Sequence, residues 1–228
     1  MKERFFKLIR LMVGFAIIGC GTMVSKQIGS LNSWNVLNDG LANVLPITMG
    51  QANTIIGIAI ILIDILAREH LGIGTVLNAL CIGMFSDLFI NLNNTIGLLP
   101  KIDNIALQIP LCFVAIFLSS FGIYLYMSAQ MGSGPRDSLM LAITKRVPFQ
   151  VGYCRMAMEA TAFVIGVILG GEFGVGTFIT VFCGGPCLQK ICKIAGFDMK
   201  KLHNESFGET YAFLKGWFRE RRGTKGSV

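Results

Sequence analysis

Histidine is nearly absent: His70 and His203 are the only two, and both fall in polar segments. The chain has no HExxH, no CxxC and no credible Ser-His-Asp set, so neither a zinc hydrolase nor a triad enzyme can be assembled from it. Its seven cysteines show no paired spacing. Cys20, Cys81, Cys112, Cys154 and Cys183 sit inside apolar runs, where free cysteine behaves as a small hydrophobe. That excludes a disulfide framework and a cysteine metal site. The two Gly-x-Gly-Thr stretches lack a following Lys-Ser or Lys-Thr, which excludes a phosphate-binding P-loop. No enzyme activity, metal or cofactor is expected.

Charge is scarce as well. Asp, Glu, Lys and Arg make up 14% of the 228 residues, against about 25% in ordinary soluble domains. What fills the gap is apolar: 53% of the chain is hydrophobic and the mean hydropathy is +0.64. Several runs approach the roughly 20 residues that cross a bilayer as a helix. The chain therefore reads as an all-α integral membrane protein of about six spans. The net charge of +7 would suggest nucleic acid in a soluble protein. Here the basic residues flank apolar runs, so they report topology and no nucleic-acid partner is expected.

The first span follows the basic residues Lys2, Arg4, Lys7 and Arg10 and reaches about Val24. Residues 33–45 are too short to cross. Trp34, Leu37, Leu41 and Val44 recur at helical spacing until Pro46 stops the helix. Such a piece lies at the interface or dips in as a half-helix. Spans two and three are expected over about 48–67 and 72–91, with a polar loop over 92–108. Spans four, five and six are expected over 109–129, 151–170 and 175–194, the last interrupted at Gly184-Gly185-Pro186. A second short helix opens at Pro135 and closes before Pro148. The tail, 196–228, is basic with interspersed aromatic residues and is expected to lie on the inner leaflet.

One unit is used twice. Gly72-Ile73-Gly74-Thr75 returns as Gly174-Val175-Gly176-Thr177, and 174 minus 72 is 102. At that offset Pro46 meets Pro148, Gly50 meets Gly152, Cys81 meets Cys183 and Asn35 meets Asp137. Matches at glycine and proline fix backbone shape, so they mark a duplication. The units are 1–98 and 99–195. Each has three spans, an odd number, so the two insert upside down relative to each other. Lys and Arg gather on the side of the N-terminus, which places both termini in the cytoplasm.

Two places carry candidate chemistry. Gly132-Ser133-Gly134-Pro135-Arg136-Asp137 opens the second short helix; the first unit offers Asn35 at the matching place. Proline is accepted in a helix's first turn, and the free N–H groups there favour an anion, which Arg136 reinforces. The competing reading is a capped helix at the headgroups, with Arg136 a topology signal. Arg155 and Glu159, four residues apart on the fifth span, share a helix face. They read as a coupling pair or as an internal ion pair joined by Asp64 or Asp87. Solvation near a span end accounts for Asp64. Asn53 and Asn78 are suited to hydrogen bonds between helices. Gly166 and Gly170 offer a small-residue packing face. Thr75 and Thr177 cap or begin their helices.

At GSGPRDSLMLAITKR, VGYCRMAMEA and GGEFGVGTFITVFCGGPCLQ the chain resembles the YczE/YyaS/YitT-like family of bacterial membrane proteins. That family shows a glycine-proline-aromatic-Asp motif where this chain has Gly134-Pro135-Arg136-Asp137, so Arg136 stands in place of the ring. The resemblance covers about residues 8–195. It implies a multi-pass protein of the bacterial plasma (inner) membrane and names no activity. Taken with the repeat, the expectation is a small-solute transporter or permease. Its partners would be the lipid bilayer and a small anionic or zwitterionic solute, and a homo-oligomer is compatible. The alternative is a non-transporting membrane partner of a larger complex.

Overall fold

The computed structural model describes residues 2–67, 69, 72–132, 134–144, 146–148, 151–197, 205 and 208. Among them are eight α-helices and no strand: α1 Lys2–Gln27, α2 Ser33–Val44, α3 Met49–Leu66, α4 Ile73–Ile96, α5 Ile105–Ser128, α6 Pro135–Thr144, α7 Val151–Ile168 and α8 Val175–Ile194. Helices α1, α3, α4, α5 and α8 are long and apolar enough to cross a membrane. α7 contributes a shorter apolar stretch, Met156–Ile168.

The long helices pack through small residues, as expected where lipid removes the hydrophobic drive between helices. α1 and α5 cross antiparallel. A Cβ on Gly14 would sit 2.8 Å from the Gly122 carbonyl oxygen, and one on Gly21 would sit 2.8 Å from Ser119 Oγ. Around that crossing Leu11, Phe15 and Tyr126 are buried together. α4 lies beside α1, and α8 beside α5.

The short helices are not surface pieces. α2 starts at Asn32, whose side chain accepts from the Asn35 N–H, and ends at Leu45, before Pro46. Twelve residues rise about 18 Å, too little for a core of about 30 Å. Yet Ser33, Asn35, Val36, Asn38, Asp39 and Gly40 are all buried. α2 packs on α7 and α3, while α6 packs on α3 and α7. Each short helix therefore leans on a long helix from the other half of the chain. The contact is close at Gly40, where a Cβ would meet the Gly166 carbonyl oxygen at 2.5 Å.

The repeated Gly-x-Gly-Thr motif is a seat for these helices. The hydroxyls of Thr75 and Thr177 accept from the N–H groups of Gly72 and Gly174, closing the first turns of α4 and α8. Gly74 donates its N–H to the Met131 carbonyl at 2.7 Å, in the loop before α6. A Cβ on Gly174 would meet the Gly29 carbonyl oxygen at 2.5 Å, in the loop before α2. No other residue lets those loops approach so closely.

Four details differ from the sequence reading. α8 runs through Gly184-Gly185-Pro186 without a break. Gly185 has no Cβ for the proline ring to strike. Gly170 is no packing residue; at φ 82° it ends α7 in the left-handed region, and its carbonyl accepts from Asn43 Nδ2 at 2.7 Å. The loop after α4 is only 97–104, because Asn93 and Gly97 carry and cap an extra turn of helix. Asp64 is not solvated: it is wholly buried. Of the tail, all but Phe197, Glu205, Gly208 and the end of the α8 turn lies outside the described residues, and with it the surface helix expected there.

Among the described residues, ion pairs gather at the two ends of the bundle. At the end where α1 finishes, Lys26 pairs with Asp39 and lies 3.5 Å from Glu172, which lies 3.5 Å from Lys101. Asp39 also accepts from the Glu172 N–H at 2.8 Å. At the opposite end Arg4 pairs with Glu205, and Arg146 approaches Glu69 at 4.0 Å.

Candidate functional site

Between those ends lies a buried polar centre, and α2 and α6 supply most of it. Asn35 Nδ2 donates to Thr22 Oγ1 of α1 at 3.4 Å. Asn38 Nδ2 donates to Asn53 Oδ1 of α3 at 3.1 Å and lies 3.4 Å from Asn35 Oδ1. Arg136, the second residue of α6, donates to the same Asn53 Oδ1 at 2.8 Å. Its guanidinium rests over the Trp34 ring, 4.6 Å from the centroid, in a cation–π contact. Asp137 accepts from the Tyr126 hydroxyl at 3.1 Å. Glu159 of α7 lies close enough to act on the Arg136 charge. Asn38 Oδ1 is buried and accepts from nothing.

The local fold explains why these groups converge. Trp34 and Arg136 are each the second residue of a short helix, so their side chains project from the helix starts, where free N–H groups and the positive dipole end lie. Gly132 takes φ 135°, a value a side chain would strain, and presses against Thr75 and Gly72. Gly134 is buried, and a Cβ there would meet the Tyr126 hydroxyl at 3.2 Å and Asn78 at 3.3 Å. Those contacts fix where Pro135 starts α6 and hence where Arg136 points.

The structure brings Gly132, Gly134, Arg136 and Asp137 to one locus with Asn35 linked through Asn38 and Asn53. Ser133 and the Arg155 side chain lie outside the described residues. Asp87 does not join Glu159. It accepts from Thr48 Oγ1 and, at 2.8 Å, from the Gly50 N–H, so it caps the start of α3. Sequence reasoning missed Thr22, Asn38 and Tyr126 as members. The signal was there: each is a polar group in or beside an apolar run, where it must find a partner or be costly. A separate shallow groove of about 360 Å³ opens between α3 and α4 over Ile47, Thr54, Ile55, Met84 and Asp87.

These features define a helical, multi-pass membrane protein with an interior polar centre built from two short helices. Residues 5–193 match the family described as "Family of unknown function (DUF6198)", and the chain belongs to that family. One of its relatives is named as a membrane protein. The chain is 32% identical over 186 residues to the uncharacterized membrane protein YczE of Bacillus subtilis, covering 81% of each chain. It is 31% identical over 172 residues to an uncharacterized protein of Haemophilus influenzae, covering 75% of this chain and 76% of that one. It is 27% identical over 181 residues to the uncharacterized protein YyaS of Bacillus subtilis, covering 78% and 88%. No solved structure matches the chain.

Proposed function

We propose that this protein is a small-solute transporter or permease of the bacterial plasma membrane, with both termini cytoplasmic and six spans, α7 joining the five long apolar helices as the fifth span in chain order. The observation that carries the reading is the meeting of two helix starts at Arg136 over Trp34. These two residues stand 102 apart, the offset of the repeat: 136 minus 34. Matching positions of two inverted units touch only near their pseudo-two-fold axis, which is where such transporters hold their solute. The exchange of short helices between halves supports the same symmetry.

The solute class follows from the groups. Arg136 and two helix starts favour a carboxylate or phosphate. Asp137, Glu159 and the free Asn38 Oδ1 suit an ammonium or amide on the same molecule. A small anion or zwitterion fits this set. In the conformation described, Asn53 satisfies the guanidinium, and the solute competes for it. No group here is arranged as nucleophile and base, so chemistry on the solute is not part of the proposal.

The test is ligand-induced thermal stabilisation of the purified protein across small anions and amino acids, followed by uptake into proteoliposomes. A hit that is lost in Arg136→Gln supports the reading. A full affinity in that variant moves the site elsewhere. One feature favours the alternative, an accessory role in a larger complex: the groove over Ile55 and Met84 is apolar and exposed. No uptake of any hit, with copurification of a partner that Met84→Glu abolishes, would decide for it.

A further inference from the structure

Asp64 has no place in the polar centre, yet it is the most isolated charge-bearing side chain described. It is 0% exposed, and neither of its carboxylate oxygens has a hydrogen-bond partner. An ionised carboxylate so enclosed is costly, and the usual remedies are a cation, a donor or a proton. Among the described residues no donor reaches it. Among the described residues no group of three or more His, Cys, Asp or Glu stands ready for a metal ion.

Its position on α3 gives the isolation a meaning. Asn53 and Asp64 are eleven residues apart, about three turns, so they share a face to within about 20°. Asn53 receives Arg136 near the start of α6, and the Ala67 carbonyl receives Arg146 Nη2 at 2.7 Å just beyond its end. Asp64 lies within the stretch of α3 between these two contacts. The offset of 102 sets it opposite Gly166 of α7, where α2 rests backbone against backbone on Val36 and Leu37. One half of the molecule closes this junction with glycine; the other puts a carboxyl into it. Asp64 stands two residues before Leu66, the last residue of α3, so only the end of that helix and the Arg146 contact with the Ala67 carbonyl separate it from the bundle's end.

We infer that Asp64 is a proton-binding site, loaded and emptied through the bundle end that α6 and Arg146 close. The charged groups facing it are few. Glu69, from the segment after α3, is a like charge, and its N–H donates to the Asp64 carbonyl at 3.0 Å. Arg146, from the segment after α6, binds the Ala67 carbonyl and approaches Glu69. The first two turns of α4, packed on the other side, carry no ionisable side chain, and the charges of α2 lie at the opposite end. Arg68, His70 and Lys145 lie outside the described residues. The reaction is only the addition of one proton to a carboxylate oxygen, with no other co-reactant. The inference goes beyond the transport reading and holds whether or not a solute moves.

The experiment is infrared difference spectroscopy of the purified protein in lipid, titrated from pH 5 to pH 9. The expected result is a protonated-carboxyl band that disappears as pH rises, is absent in Asp64→Asn and is displaced in Asp64→Glu. The Glu variant serves as the assignment if the Asn variant does not fold. Absence of the band at every pH, or a band that never titrates, would overturn the inference. So would a band that vanishes on replacing choline chloride by sodium chloride at constant pH, since the ligand would then be a metal cation. A titrating band unchanged in both variants belongs to another carboxyl and overturns it equally.

Discussion

Arg136 shows what one residue does in this interior. Its guanidinium has one described donor bond, to Asn53, and one ring beneath it. Hydrogen bonds to a charged group contribute about 1.5–3 kcal/mol, and a desolvated cation–π contact about 2. Arg136→Lys keeps the charge but loses the planar fit on Trp34, so it is expected to weaken solute-induced stabilisation about tenfold while leaving expression intact. Titrating the thermal shift against solute concentration checks this. Asn53 holds Arg136 and Asn38 through one oxygen, so Asn53→Leu strands two donors together. The expected loss is about 2–4 kcal/mol in unfolding free energy, measured by chemical denaturation in mixed micelles. The sequence showed Arg136 plainly, because an arginine after Gly-Pro is conspicuous. It hid Asn38 and Thr22, since their partnership depends on how three helices lean, which no local spacing encodes.

At the scale of elements, the glycines divide into those that hold the short helices and those that hold nothing. Gly74 touches the backbone of Met131. Gly184 has open space around it. Gly74→Ala is therefore expected to destabilise by roughly 1–3 kcal/mol through overpacking. Gly184→Ala should leave stability unchanged or raise it by up to about 1 kcal/mol through helix propensity. Thermal melts of the two variants side by side measure the contrast. The Gly-x-Gly-Thr repeat was readable as helix starts, and Thr75 and Thr177 do close those turns. Its second duty, receiving the loop before a short helix, was not readable. The partners lie 57 and 145 residues away, as 131 minus 74 and 174 minus 29 give. Pro186 misled for a more local reason: its neighbour Gly185 has no Cβ for the ring to strike, and α8 runs on through it.

For the whole molecule, the proposed orientation places the Arg4–Glu205 and Arg146–Glu69 end in the cytoplasm. Ile96→Cys and Gly208→Cys, each in a cysteine-free background, test it. An impermeant maleimide added to intact cells should label position 96 and spare position 208; the reverse pattern would invert the topology. The helical class was legible because hydropathy is a local quantity. The exchange of α2 and α6 between halves was not, because apolar helices of similar composition can pair in many orders until packing chooses.

That exchange also governs how the protein comes into being. α2 emerges from the ribosome long before α7, the wall it rests on: Ser33 and Val151 are separated by more than a hundred residues. At about 5–20 residues per second, the wait is on the order of 6–24 s. Through that interval Asn35, Asn38 and Asp39 stand on a helix too short to span, with one side unwalled. A chain halted before Val151 therefore displays a half-built polar seam to the bilayer, and insertion chaperones and membrane proteases are the agents equipped to notice it.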